Sequence, residues 1–230
     1  MTDETVIEVD HLDAGYDAAP VLEDISFTVR RGEVFVILGG SGCGKSTLLK
    51  HMIGLNPPLG GLVRIMGDRI SGGSQDERER AMRRFGVTYQ SGALFGSMTL
   101  LENVCLPLDV FTDLPSDARY LVAEMKLDLV GLKSFASYFP SDISGGMKKR
   151  AAIARALALD PAILFLDEPS AGLDPVTSAE LDRLILRLRD TQGITFVIVT
   201  HELASIFAVA DRCLMLDKQT KRILAEGPPA

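Results

Sequence analysis

Residues Gly39-Gly40-Ser41-Gly42-Cys43-Gly44-Lys45-Ser46, followed by Thr47, fit the spacing G-x-x-x-x-G-K-[ST]. Glycines let a backbone bend tightly enough for successive N–H groups to face phosphate oxygens. A helix starting near Lys45 would add the positive end of its dipole to the same anion site. Lys45 is then placed to reach the terminal phosphates of a nucleotide, and the Ser46 hydroxyl to hold Mg²⁺. A glycine-rich strand–helix turn without a ligand would read similarly. The apolar run Val34 to Leu38 directly before the loop favours the phosphate site.

A second cluster completes the chemistry. Ile163-Leu164-Phe165-Leu166 is an apolar strand that delivers two adjacent carboxylates, Asp167 and Glu168, at its carboxyl end. Ligands of open α/β sheets sit there. Asp167 suits support of Mg²⁺, and Glu168 suits polarising an attacking water. Alone, the pair reads equally as a solvated turn; beside the glycine loop it predicts nucleotide hydrolysis. Ser144-Gly145-Gly146 opens an alanine-rich helix. That is either a further anion site or an ordinary capped helix.

These groups need a scaffold. The chain has 230 residues, enough for one α/β domain with an inserted subdomain. Its net charge of -7 argues against a broad nucleic-acid surface. Cys43, Cys105 and Cys213 lack C-x-x-C spacing, so neither a disulfide framework nor a metal site is expected, in keeping with a reducing cytosol. The acidic N-terminus lacks a signal-peptide pattern, and no apolar run approaches the about 18 residues of a membrane span. A soluble chain is expected, whose membrane role would need a partner.

Period-two alternation predicts strands at Val6–Val9 and Ile25–Val29, and Leu62–Met66 reads as another. The helix from Lys45 carries Leu48, Leu49, Met52 and Ile53 on one face. Residues 75–85 are strongly charged, and the pairs Asp76/Arg80 and Glu79/Arg83 predict a solvated helix. Val87–Tyr89 is a short strand ending at Gln90. From about 91 to 150 the pattern is helical, punctuated by Pro107, Pro115 and Pro140. Helices at Gly145–Leu159, Val176–Gln192 and Glu202–Asp211 then alternate with strands at Ile163–Leu166, Ile194–Thr200 and Cys213–Leu216, with a last strand at Arg222–Ala225. That alternation implies an α/β fold with a mostly parallel sheet covered on both faces.

Taken together, the chain resembles an ATP-binding-cassette (ABC) ATPase along its whole length. Gly39–Thr47 matches the Walker A loop, Gln90 the Q-loop, Ser144-Gly145-Gly146 the signature motif, and Ile163–Glu168 the Walker B strand with its glutamate. Ser170-Ala171-Gly172-Leu173-Asp174 matches the D-loop, His201 the switch histidine, and Tyr16 the aromatic that stacks on adenine. The resemblance implies one domain over residues 5–230. It would have a P-loop core, an antiparallel β subdomain, and a helical subdomain inserted at about 91–154. It implies ATP and Mg²⁺ as cofactors. Tyr16, Gly39, Gly40, Ser41, Gly42, Cys43, Gly44, Lys45, Ser46, Thr47, Gln90, Ser144, Gly145 and Gly146 would bind nucleotide. Ser46, Gln90 and Asp167 would hold the metal, and Lys45, Glu168 and His201 would serve catalysis. Two copies would pair head to tail, each covering the other's ATP with Ser144–Gly146. Met147 departs from the glutamine usual at its position.

Finer likeness lies in Tyr89–Leu100, with Glu102-Asn103-Val104, Pro107-Leu108 and Met147. This part is similar to the Mla/Mce-associated lipid-transport ATPases. That similarity implies powering phospholipid movement between inner and outer membranes, from the cytoplasmic face of the inner membrane, through an integral permease subunit docked near Ser91–Leu100. A small regulatory subunit is a further partner, and nucleic acid is not. The alternatives are a non-transport cassette of the iron–sulfur assembly type and an importer of another solute. A small P-loop kinase would leave His201 and the Ser-Gly-Gly helix start without a role.

Overall fold

The computed structural model describes residues 4–17 and 19–229. Two long strands, β1 (Thr5–Tyr16) and β2 (Ala19–Arg30), precede β3 (Val34–Gly39) and helix α1 (Lys45–Met52). Then follow β4 (Gly60–Ile65), β5 (Asp68–Arg69), α2 (Gln75–Met82) and β6 (Phe85–Thr88). Three helices come next: α3 (Leu100–Phe111), α4 (Ser116–Leu129) and α5 (Gly145–Ala156). The chain closes with β7 (Ile163–Asp167), α6 (Pro175–Gln192), β8 (Thr195–Val199), α7 (Leu203–Val209), β9 (Arg212–Leu216) and β10 (Ile223–Gly227).

The strands form two sheets. One is antiparallel, in the order β2-β1-β4-β5; the other runs β10-β9-β3-β8-β7-β6 and is parallel except for β10. Period-two geometry explains why the parallel strands are apolar throughout. Val34 and Val36 of β3, Leu164 and Leu166 of β7, and Phe196 and Ile198 of β8 enter the core built with α3 to α6. Their neighbours Phe35, Ile37, Ile163, Phe165, Val197 and Val199 enter a second core with α1 and the antiparallel sheet. The loop at Gly39 therefore springs from a strand clamped on both faces.

Two expectations change and a third gains detail. Strands β1 and β2 each run 12 residues, far beyond the stretches that alternate, because register shifts between Val9 and Leu12 and again to Ala14 break the period. The solvated helix that the charges of α2 predict does form, but its arginines find tertiary partners: Arg80 turns to Asp68 at 2.8 Å, and Arg83 lies over the Phe111 ring. Helix α2 is held by its Ser74/Glu77 capping box. The helix after His201 is also shorter than expected, seven residues, and Asp211 lies beyond it, donated to by the Val34 N–H. Among the described residues no helix is long and apolar enough to cross a membrane.

Candidate nucleotide site

An open cleft of about 650 Å³ lies at the carboxyl ends of β3, β7 and β8. Gly39, Gly40, Ser41, Gly42, Gly44, Lys45, Ser46, Thr47, Gln90, Glu168 and His201 line it, with Val21. The loop can form only with glycine at critical points. Gly39 has no room for a side chain, since a Cβ would stand 2.6 Å from Cys43 Sγ and 2.7 Å from the Leu216 carbonyl oxygen. Gly44, the N-cap of α1, has φ +102°, a conformation L side chains rarely adopt. Lys45 Nζ donates to the carbonyls of Gly39 at 2.8 Å and Gly40 at 3.2 Å, which holds the ammonium across the loop mouth. Cys43 is buried behind the loop and does not line the cleft.

Opposite the loop, the chain turns sharply after β7. Glu168 adopts φ +47°, and its N–H donates to the Val199 carbonyl of β8 at 2.8 Å. This turn brings the Glu168 carboxylate, Oε1, to 2.8 Å from His201 Nδ1. Glu168 Oε2 and Asp167 Oδ1 are buried and accept no hydrogen bond from the protein. Burial pushes the Asp167 carboxyl above its usual range, and the neighbouring Glu168 charge adds to this; Lys50 and a hydrogen bond from Ser46 oppose it. An orphaned carboxylate oxygen beside the Ser46 hydroxyl suits a hard cation.

Tyr16 ends β1 half exposed, outside the cleft lining. Its phenol is held below its ordinary range, chiefly by a hydrogen bond with Thr47 and also by Lys50. Beneath it lies His51, fully buried, whose importance nothing in the sequence pattern had marked. Ser144, Gly145 and Gly146 stand at the start of α5 and do not line the cleft of their own chain. Ser144 caps α5 by accepting from the Met147 N–H at 3.3 Å. Gly146 packs on α6, where a Cβ would meet Thr177 Cγ2 at 2.3 Å. Asp174 caps α6, accepting from the Val176 and Thr177 N–H groups.

Two cations of α5 escaped the sequence reading. Lys149 Nζ donates to the carbonyl of Gln90 and, at 3.2 Å, to that of Glu168. Arg155 donates to the carbonyls of Ala93 at 2.8 Å and Gly92 at 3.0 Å. Desolvation lowers the pKa of both. They tie the start of the segment Ser91–Leu100 to α5. Farther along that segment, the buried Asn103 amide pins the chain: it accepts from the Phe95 N–H at 2.8 Å and donates to the carbonyls of Phe95, Met98 and Thr99. Phe95 itself points outward, 54% exposed.

Residues 22–171 match the family model described as ABC transporter. The chain is 39% identical over 207 residues, 90% of its own length and 76% of the relative's, to the intermembrane phospholipid transport system ATP-binding protein MlaF of Escherichia coli. It is 44% identical over 223 residues, 96% of this chain and 61% of the relative, to the probable ribonucleotide transport ATP-binding protein mkl of Mycobacterium tuberculosis. Among solved structures, cbiO1 from Clostridium perfringens, part of the ABC transporter complex cbiONQ, superposes with a TM-score of 0.89 at 29% identity, covering 99% of this chain and 90% of that one. The dimeric ATP-binding cassette MJ0796, bound to ADP and Pi in a post-hydrolysis state, gives 0.85 at 29% identity, covering 97% and 99%.

Proposed function

The chain belongs to the ABC transporter family as an ATP-binding, ATP-hydrolysing subunit, and on that premise we propose that it powers the movement of phospholipid between two membranes. The site reading rests on one observation above all: Lys45, Glu168 and His201 meet in one cleft with the glycine loop. The loop N–H groups and Lys45 hold the phosphates, and Tyr16 receives the adenine. Glu168, hydrogen-bonded to His201, accepts a proton as water attacks the γ-phosphorus and the bond to the β-phosphate oxygen breaks. ADP and phosphate leave. His201 keeps the Glu168 carboxylate turned into the cleft.

Ser46, Asp167 and Gln90 fit Mg²⁺. Among the described residues no three His, Cys, Asp or Glu side chains form a metal cage, as befits an ion held mostly by phosphate and water. When bound, the ion neutralises charge on the β- and γ-phosphates. Ser144–Gly146 lie away from their own cleft, which supports their serving a second copy of the chain. A closed pair then completes two sites together and turns ATP binding into relative motion. We place the pair at the cytoplasmic face of the inner membrane, with an integral permease docked at Ser91–Leu100 and a small regulatory subunit as a further partner.

The cargo assignment rests on the likeness to MlaF together with the Tyr89–Leu100 segment. Its test is to purify the chain with its membrane subunit, identify co-purifying molecules by mass spectrometry, and follow ATP-dependent transfer of labelled phospholipid between vesicle populations. Phospholipid should co-purify and move. ATP-driven uptake of a ribonucleotide, with phospholipid static, would overturn the assignment.

A further inference from the structure

His51 occupies the last turn of α1, where its polar ring is fully buried. A buried imidazole is costly unless both nitrogens find partners. Here they do. Nδ1 lies 2.8 Å from the Thr47 carbonyl, and the buried N–H of Gly15 donates to Nε2 at 3.4 Å. A ring that donates at Nδ1 and accepts at Nε2 is the neutral Nδ1–H tautomer. Gly15 is the residue before Tyr16, and the backbone there has no slack: a Cβ on Gly15 would stand 2.1 Å from the Ala19 carbonyl oxygen. The His51 ring also meets the Tyr16 ring edge-on, with centroids 6.5 Å apart at 68°. Thr47 and Lys50 of the same helix also act on the Tyr16 phenol, holding it below its ordinary range.

We propose that His51 is a positioning residue that fixes Tyr16 against α1, and thereby sets affinity for the adenine ring of the nucleotide without touching it. This rests on the reading of Tyr16 as the adenine platform. Backbone and ring are anchored through one side chain. That side chain starts in the helix whose N-terminus holds the phosphates, so base and phosphate subsites keep a fixed separation.

Adenine and phosphate contacts can be read apart. Competition by Mg²⁺-tripolyphosphate reports the loop alone; ATP reports loop plus base. His51→Leu fills the ring's space without its hydrogen bonds, and His51→Gln can still accept from Gly15 and donate to Thr47. Losing a base stack weakens ATP about five- to a hundredfold. The expected result is that loss in His51→Leu and Tyr16→Ala, near-parental ATP affinity in His51→Gln, and unchanged tripolyphosphate affinity in all three. If Tyr16→Ala loses ATP affinity and His51→Leu does not, or if His51→Leu loses both ligands equally, the role of His51 is overturned while that of Tyr16 stands. If Tyr16→Ala binds ATP as the parent does, the platform reading fails, and the proposal with it. Nitrogen NMR of the parent protein adds a measurement free of folding effects. His51, assigned by its absence from the His51→Gln spectrum, should be the Nδ1–H tautomer, with Nε2 shifting on ATP but not on tripolyphosphate. The Nε2–H tautomer would overturn the proposal.

Discussion

His201 Nδ1 stands 2.8 Å from Glu168 Oε1, a contact made across the carboxyl ends of two adjacent parallel strands. His201 is two-thirds exposed and the Glu168 side chain only 13% exposed, so the histidine covers the solvent side of the carboxylate. The other oxygen of Glu168, whose backbone is left-handed, is buried without a protein hydrogen-bond partner.

Glu168→Gln keeps the shape and the contact with His201 but removes the carboxylate proposed as the base. Its kcat should fall by about 10²–10³, with ATP affinity within twofold of the parent. His201→Ala leaves the carboxylate in place but unheld, and should cost less, about tenfold. Single-turnover hydrolysis beside equilibrium ATP binding checks both; a Glu168→Gln enzyme with parental kcat would move the base elsewhere.

Lys45→Ala should abolish ATP binding at concentrations that saturate the parent, a loss on the order of a hundredfold or more in activity. The Lys45 ammonium hydrogen-bonds to loop carbonyls and not into the core, so melting without nucleotide should match the parent. Calorimetry with and without ATP tests both halves, and retained ATPase activity would refute the site.

Asp167 has its pKa raised by burial, so folding disfavours its ionised form. Stability is greatest where the carboxyl is protonated and is lost as pH rises through the raised pKa. Asp167→Asn removes that loss at neutral pH. Without nucleotide it should melt higher than the parent at neutral pH, the gain vanishing in acid. The same variant should lose the Mg²⁺-dependent part of ATP binding. A lower melting point at pH 7.5 would contradict the electrostatic account.

A site shared between copies predicts activity that depends on assembly. The isolated chain should hydrolyse slowly, with specific activity rising with protein concentration or on addition of the membrane subunit. Specific activity that is flat across the range, from a species monomeric by light scattering, would refute sharing.

Phe95→Glu should fold and bind ATP normally, because the side chain is already exposed, yet lose capture of the membrane subunit. Asn103→Ala removes the amide whose oxygen accepts from the Phe95 N–H and whose two N–H groups share the carbonyls of Phe95, Met98 and Thr99. It should lose capture and also stability, by about 2–4 kcal/mol. Melting temperature and pull-down together separate an interface residue from its support. A Phe95→Glu protein that still assembles and moves lipid would place the interface elsewhere.

What the sequence made legible was what neighbouring residues determine. The apolar strand before Gly39, the glycine spacing, and the paired acids after Leu166 are local signals, and the structure gathers Lys45, Glu168 and His201 at one sheet edge. The length of β1 was hidden because bulges scramble its alternation. Lys149 was hidden because its partners, Gln90 and Glu168, lie 59 and 19 residues away and its neighbours are basic too. His51 was hidden because an imidazole among Leu48, Leu49 and Met52 carries no periodic signature of a buried polar role. The charges of α2 pointed to the solvated helix that forms but not to its partners, because Asp68, outside the helix, takes Arg80.

The close approach of Gly146 to Thr177 has an evolutionary reading. With 2.3 Å between a would-be Cβ and the threonine methyl, the helix start at 146 and the first turn of α6 cannot drift independently. Gly146→Ala should be tolerated only alongside a loss of that methyl, and Thr177→Ser is the minimal such change, since it keeps the hydroxyl that donates to Asp174. Across descendants of this chain the two positions should therefore change as a pair, with alanine at 146 found only where position 177 lacks a branched side chain.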